Sequence, residues 1–194
     1  LVVARELHYE ALNKALGSID EKYIIQRDEH LSTYDGLTTT RKLKMLSKNK
    51  DLSEELHDTI HNMKQDMTLK IIDGFSVDNR IQSILRSLKS EGYTLACATN
   101  SIRKTAKLQL IRKGFFEHID FLYTNQDVKN PKPNSEIYLR CMIKAEVNPN
   151  ETVIIEDSHI GRKGALSSGA HLCAVEDSND VSYENEVTYT VDPK

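Results

Sequence analysis

The sequence predicts an α/β fold: a parallel sheet with helices on both faces, preceded by a purely helical region. Two observations predict it. From residue 79 onward, helical patterns alternate with short apolar runs, and such alternation reads as strands joined by crossover helices. Before residue 73 the apolar residues recur only at helical spacing, with no strand-like run between them.

In the first region, Leu7, Ala11, Leu12, Ala15 and Leu16 form one helix face, and Gly17 can end that helix. Leu43 and Leu46 mark a second helix after an Asp35–Thr40 loop, in which Gly36 suits a turn. Leu52, Leu56, Ile60, Met63, Met67 and Ile71 make a long apolar stripe, its methionines read as core filling. Asp73-Gly74-Phe75 is then expected to link to the second region.

There, a helix over 79–91 presents Ile81, Ile84, Leu85 and Leu88 and stops at Gly92. A strand is expected at 93–98, a helix at about 102–113 stopping at Gly114, and a strand at 119–123. A helix at about 135–146, a strand at 152–156, a helix at 159–168 stopping at Gly169 and a strand at 171–175 complete the alternation. The expected division is therefore 1–72 helical and 73–194 α/β.

Composition bounds the function. A length of 194 residues suffices for one core domain and a small second element. With 39% apolar and 28% charged residues, the chain has the balance of a soluble globular protein. A formal charge of −3 gives no global attraction to nucleic acid or to an anionic membrane, so an anionic ligand would need local cations. Neither a membrane-length apolar run nor a signal-peptide pattern is visible. Cys97, Cys141 and Cys173 are odd in number and set among apolar neighbours, which fits buried thiols in a reducing cytoplasm.

Three segments carry candidate chemistry. Val153-Ile154-Ile155 is a strand run that ends in Glu156 and Asp157, at the sheet edge where open α/β folds place ligands. Paired carboxylates there suit Mg²⁺, which takes one or two protein oxygens and keeps water or phosphate. Leu95–Ala98 runs into Thr99, Asn100 and Ser101 ahead of a helix, where hydroxyl, amide and free N–H groups can cradle an anion. Asn130-Pro131-Lys132-Pro133 fixes one lysine between two prolines in a stiff loop. Taken singly, these also read as a solvated strand end, a capped helix and a Pro-rich turn.

Other patterns are set aside. His57-Asp58-Thr59-Ile60-His61 imitates a helical zinc-protease motif but has Asp in place of Glu and no evident third ligand. Gly161, Gly164 and Gly169 fall within and after a helix, so they suit close packing rather than dinucleotide binding. Arg162 and Lys163 read as surface charges. A nucleotide-triphosphatase reading of Ile154–Asp157 fails for want of a Gly-x-x-x-x-Gly-Lys-Ser/Thr loop.

In order and spacing, the segments at 95–101, 130–138 and 153–161 resemble the second to fourth motifs of the haloacid dehalogenase superfamily of phosphohydrolases. The likeness is to its β-phosphoglucomutase-like and phosphoglycolate phosphatase-like branch. It extends from Ala4–Leu12, similar to the family's first cap helix, to the strand at His171–Val175. The resemblance implies a Rossmann-like core with a helical cap, Mg²⁺ dependence, and a small phosphorylated metabolite such as a sugar phosphate as substrate. It implies covalent phosphoryl transfer, with Asp157 and Glu156 holding the metal and Lys132 bridging phosphate and nucleophile. Thr99 and Asn100 would donate to phosphate, and His8 would lie near the site. Nucleic acid and membrane are not expected partners, and a monomer is expected.

One departure is decisive. The family opens with a strand ending in Asp-x-Asp-Gly, which carries the nucleophile and the acid/base. No Asp-x-Asp occurs in these 194 residues. Leu1–Arg5 resembles sequence just past that motif, and Met is not the first residue. The chain is therefore expected to be a fragment lacking the nucleophile, or else an inactive relative that at most binds phosphorylated ligands. In the family the missing strand is central, so its loss would leave a slot between the strands at 93–98 and 152–156.

Overall fold

The computed structural model describes residues 4–182, with side chains from Glu6 onward. The chain forms two compact units that meet in sequence between Phe75 and Ser76.

The first unit is helical: α1 (Ala4–Gly17), α2 (Arg27–Glu29), α3 (Thr39–Lys50) and α4 (His57–Asp73). Its core gathers Leu12, Ala15 and Leu16 of α1 with Leu43 and Leu46 of α3 and Ile60 of α4, around the fully buried Tyr34. Thr38 caps α3 by accepting from the Arg41 N–H, and Asp51 closes the helix in a left-handed conformation at φ 53°.

The buried face of α4 differs from the expected stripe. Ile60, Lys64, Thr68 and Ile72 are its buried residues, whereas Met63 and Met67 are only partly covered and Ile71 is partly exposed. The reason is that α1 packs alongside and buries positions that hydropathy alone assigns to solvent; the Lys64 Nζ donates to His8 Nδ1 of α1 across that contact at 3.2 Å.

The second unit is α/β. Its elements are α5 (Asn79–Ser90), β1 (Ala96–Ala98), α6 (Arg103–Lys113), β2 (Phe121–Tyr123), α7 (Glu136–Ala145), β3 (Val153–Glu156), α8 (His159–Leu166) and β4 (His171–Ala174). Gly114 stops α6 at φ 77°, a conformation that suits glycine. All pairing is parallel: β1 with β2, in the register Cys97 to Leu122, and β3 with β4, in the register Ile155 to Cys173. Among the described residues β1 and β3 do not pair, so the strands form two ribbons rather than one continuous sheet.

The side chains build two apolar clusters, one on each face of the strands. Cys97, Leu122, Val153, Ile155 and Cys173 pack with Ile81 and Leu85 of α5 and Leu110 of α6. On the opposite face Ala98, Tyr123, Ile154 and Leu172 pack with Ile137, Tyr138 and Met142 of α7 and Ala165 of α8. By this alternation every strand contributes side chains to both apolar clusters. Among the described residues, no helix is long and apolar enough to cross a membrane.

Candidate active site

The carboxyl ends of β1 and β3 are joined by one lysine. Lys132 Nζ donates to the Ala98 carbonyl at 3.0 Å and to Glu156 Oε2 at 2.7 Å. Both residues are 8% exposed, so this is a buried ion pair. The loop that delivers Lys132 is fixed at several points. The Asn100 side chain brackets the Lys132 backbone, donating to its carbonyl at 3.2 Å and accepting from its N–H at 3.0 Å. The Glu136 carboxylate accepts from the Lys129 and Asn130 N–H groups at 3.1 and 2.8 Å. The Lys132–Pro133 peptide is cis.

Glu156 is saturated with donors. Besides Lys132, its Oε2 accepts from the Tyr138 hydroxyl at 2.8 Å, and its Oε1 accepts from the Ser158 N–H at 3.1 Å and hydroxyl at 2.9 Å. Burial alone would raise this carboxyl, but the Lys132 charge and the Tyr138 and Ser158 hydrogen bonds overcome it and hold the group well below its ordinary range. The Tyr138 phenol, buried and facing that carboxylate, is pushed up and remains a donor. Its ring also lies 4.8 Å from Lys132 Nζ. Gly161 makes room for this arrangement, since a Cβ there would sit 2.0 Å from Glu156 Cδ.

Asp157 is the next residue and is only partly buried. Burial and the neighbouring Glu156 charge both raise its carboxyl, so a cation beside it would relieve an existing repulsion. Thr99 lies beyond β1, and its hydroxyl accepts from the Ser101 N–H at 3.1 Å, closing a tight turn before α6. Arg162 donates to the Val175 carbonyl at 2.7 Å and to Glu176, tying two strand ends together.

The structure thus brings five of the six sequence-predicted residues, Lys132, Glu156, Asp157, Thr99 and Asn100, to one edge of the α/β unit. His8 lies in the helical unit, beside Lys64. Asn100 directs its side chain to the Lys132 backbone, and Glu156 spends both oxygens on protein donors. The sequence alone assigns no role to Tyr138 or Ser158. Ser158 carried a signal, being a helix-capping residue directly after the acid pair, and it accepts from the Gly161 N–H at 3.0 Å. Tyr138 carried none, because its role depends on α7 packing beside β3.

A parallel α/β core carries a buried lysine–carboxylate pair beside a second acid at its strand ends, the edge where open α/β sheets place their ligands. Residues 1–175 match the haloacid dehalogenase-like hydrolase family, and the chain belongs to it. Among curated relatives, a phosphorylated carbohydrates phosphatase from Thermotoga maritima is 29% identical over 120 residues, covering 62% of this chain and 54% of that protein. The pyrophosphatase PpaX of Bacillus cereus is 24% identical over 136 residues, covering 64% of this chain and 63% of that one. The chain therefore spans only part of the length of these relatives.

Among solved structures, β-phosphoglucomutase from Clostridium difficile superposes with a TM-score of 0.80 at 20% identity, covering 98% of this chain and 92% of that one. CbbY from Rhodobacter sphaeroides, solved with phosphate, gives 0.80 at 20% identity over 100% of this chain and 85% of that one. These likenesses establish the shared fold.

Proposed function

We propose that the α/β unit is the core of a Mg²⁺-dependent phosphoryl-transfer enzyme, a phosphatase or phosphomutase acting on a small phosphorylated metabolite such as a sugar phosphate. The observation that carries this reading is the buried Lys132–Glu156 pair beside Asp157 at the carboxyl ends of β1 and β3. A structural ion pair alone would need neither the prolines nor the Asn100 brace that hold Lys132 in place. Relatives named for action on phosphorylated carbohydrates and pyrophosphate support the substrate class.

In this reading Lys132 sets a fixed positive charge where phosphate oxygens and an attacking carboxylate meet, offsetting the repulsion between two anions. Glu156, Tyr138 and Asn100 position that lysine. Thr99 and the N–H groups of the following turn donate to the phosphate. Asp157 fits a metal site: one or two hard protein oxygens suffice for Mg²⁺ when water and phosphate complete the shell. The bound ion would neutralise developing charge on phosphate oxygen.

The chemistry is attack by an aspartate oxygen on phosphorus, with the bond to the leaving oxygen breaking as a second aspartate protonates it. Water, or a second hydroxyl, then takes the phosphoryl group and regenerates the carboxylate. These 194 residues contain no Asp-x-Asp pair, so neither aspartate is assigned to a residue of this chain. Free thiols at Cys97, Cys141 and Cys173 fit a cytoplasmic setting.

A phosphatase assay tests this directly. The 194-residue chain and one extended by a strand ending in Asp-x-Asp-Gly are compared with Mg²⁺ and a generic phosphoester. Activity only in the extended chain supports the reading. Equal activity in both would place the nucleophile elsewhere, and silence in both would favour an inactive relative.

A further inference from the structure

Helix α6 carries positive charge that its own stability does not call for. Its residues include Arg103, Lys104, Lys107, Arg112 and Lys113 and no acid, in a chain whose formal charge is −3. Arg103 and Lys104 lie in the first turn, the end at which the helix dipole disfavours cations. Thr105, Ala106, Gln109 and Leu110 are the buried residues of the helix. On the opposite face Lys104, Lys107 and Ile111 follow one another at spacings of three and four, so they form one exposed row.

Apolar side chains interrupt that row. Phe116 follows the helix, and Lys107 Nζ lies 5.1 Å from its ring centroid. Val77 borders the same end of α6: a Cβ on Gly114 would meet its Cγ1 at 2.9 Å, and the adjacent Asp78 N–H donates to the Lys113 carbonyl at 3.2 Å. Val77, Ile111 and Phe116 are 49%, 48% and 38% exposed. A single exposed apolar residue needs no explanation, but three beside one row of cations have the make-up of an interface, apolar at its centre and charged at its rim.

We infer that this face of α6 is a docking surface for an acidic segment of another protein, one that sets apolar side chains between carboxylates. Charge complementarity fixes the sign of the partner, and the rim fixes its class. Asp127, paired with Arg103, stands at one end of the row, and Glu117, its side chain 70% exposed, stands beside Phe116 at the other. A bilayer or a nucleic-acid backbone of uniform negative charge would meet those carboxylates along with the lysines. Discrete acids on a protein can pair with Lys104 and Lys107 and avoid them. Phosphates also offer nothing to Ile111 and Val77, which apolar side chains would cover. The surface does not depend on the phosphoryl-transfer reading above.

Amide-resolved NMR titration of the 194-residue chain tests the inference. The probe is a synthetic Glu/Leu peptide patterned as an amphipathic helix, with poly-L-glutamate of equal length as the charge-only control. Saturable shifts are expected at residues 76–78 and 104–117, with the Glu/Leu peptide bound at least about tenfold more tightly than poly-L-glutamate because apolar anchors add to charge. Lys107→Glu should weaken binding about tenfold. Ile111→Ser, which keeps every charge, should weaken it about fivefold, the scale of burying the exposed half of that side chain. Lys144→Glu on α7, an equal change of net charge at another exposed position, should leave affinity within about twofold. Circular dichroism melts check that these surface variants stay folded. The absence of saturable shifts at 76–78 and 104–117 would overturn the inference, as would a response that survives both Lys107→Glu and Ile111→Ser. Equal binding of poly-L-glutamate would overturn it by reducing the face to bare charge. Tighter binding to phosphatidylserine–phosphatidylcholine vesicles or to a DNA duplex would overturn it in favour of a membrane or a nucleic acid.

Discussion

Replacing Glu156 by glutamine removes one charge from the buried pair and keeps its shape. At 2.7 Å the attraction between Lys132 and Glu156 amounts to about 6 kcal/mol at an effective dielectric of 20, before desolvation is subtracted. Breaking such a pair leaves Lys132, 8% exposed, without its counter-charge, and losses of this kind run to about 3–5 kcal/mol. For a chain of this size that corresponds to a fall of roughly 6–20 °C in the midpoint of the α/β unit. Circular dichroism melts and urea titrations of Glu156→Gln, Lys132→Met and the double variant measure it. The double variant should be less destabilised than the two singles combined, by about 0.5–3 kcal/mol.

The same pair fixes an acid dependence. Its folded carboxyl is held down to about 2, so its stabilisation is present above about 4.5, the unfolded value, and is lost as pH falls from there toward about 2. Glu156→Gln should flatten that limb. A variant within about 1 kcal/mol of the parent, with an unchanged acid limb, would refute the argument and imply a hydrated pair.

Three further outcomes are expected. Gly161→Ala places a methyl 2.0 Å from Glu156 Cδ, so it should cost about 1–3 kcal/mol in urea unfolding and shift the Tyr138 and Lys132 resonances. For Lys42 and Lys64, both buried in the helical unit, folded values near 8 against 10.5 unfolded mean that the unfolded chain binds more protons between those limits. Stability should therefore rise with pH from about 8 to 10.5, by up to about 3 kcal/mol per lysine, and Lys42→Met should show a smaller rise in the same unfolding titrations. Asp157→Ala in the extended chain should abolish Mg²⁺-dependent turnover in a phosphate-release assay; near-normal turnover would remove Asp157 from the metal site.

Much of this was legible in the sequence, for identifiable reasons. Helices α1 and α5 announced themselves by apolar spacing. Gly114 and Gly169 marked helix ends, because left-handed turns there favour glycine. The strand ends were legible as apolar runs meeting polar pairs, which put Thr99, Asn100, Glu156 and Asp157 on one edge. The strands are shorter than the apolar runs: β1 covers only Ala96–Ala98 of the expected 93–98.

Partnership was not legible. Glu156 read as a ligand because a strand-end acid reads as exposed, yet Lys132, Tyr138 and Ser158 converge on it from three segments distant in sequence or turned back upon it. The burial of Lys42 and Lys64 is likewise invisible in the sequence, since hydropathy assigns any helical lysine to the surface. Only the packing of neighbouring helices buries them.

The central claim is that Lys132 stabilises transferring phosphate rather than merely holding β1 to β3. Steady-state kinetics of Lys132→Met in the chain extended by the Asp-x-Asp-Gly strand tests it most directly. The account predicts a fall in kcat of at least about a hundredfold, the scale of losing one preorganised electrostatic group, in a protein that still folds. A change confined to KM, with kcat preserved, would contradict it and reduce Lys132 to a docking charge.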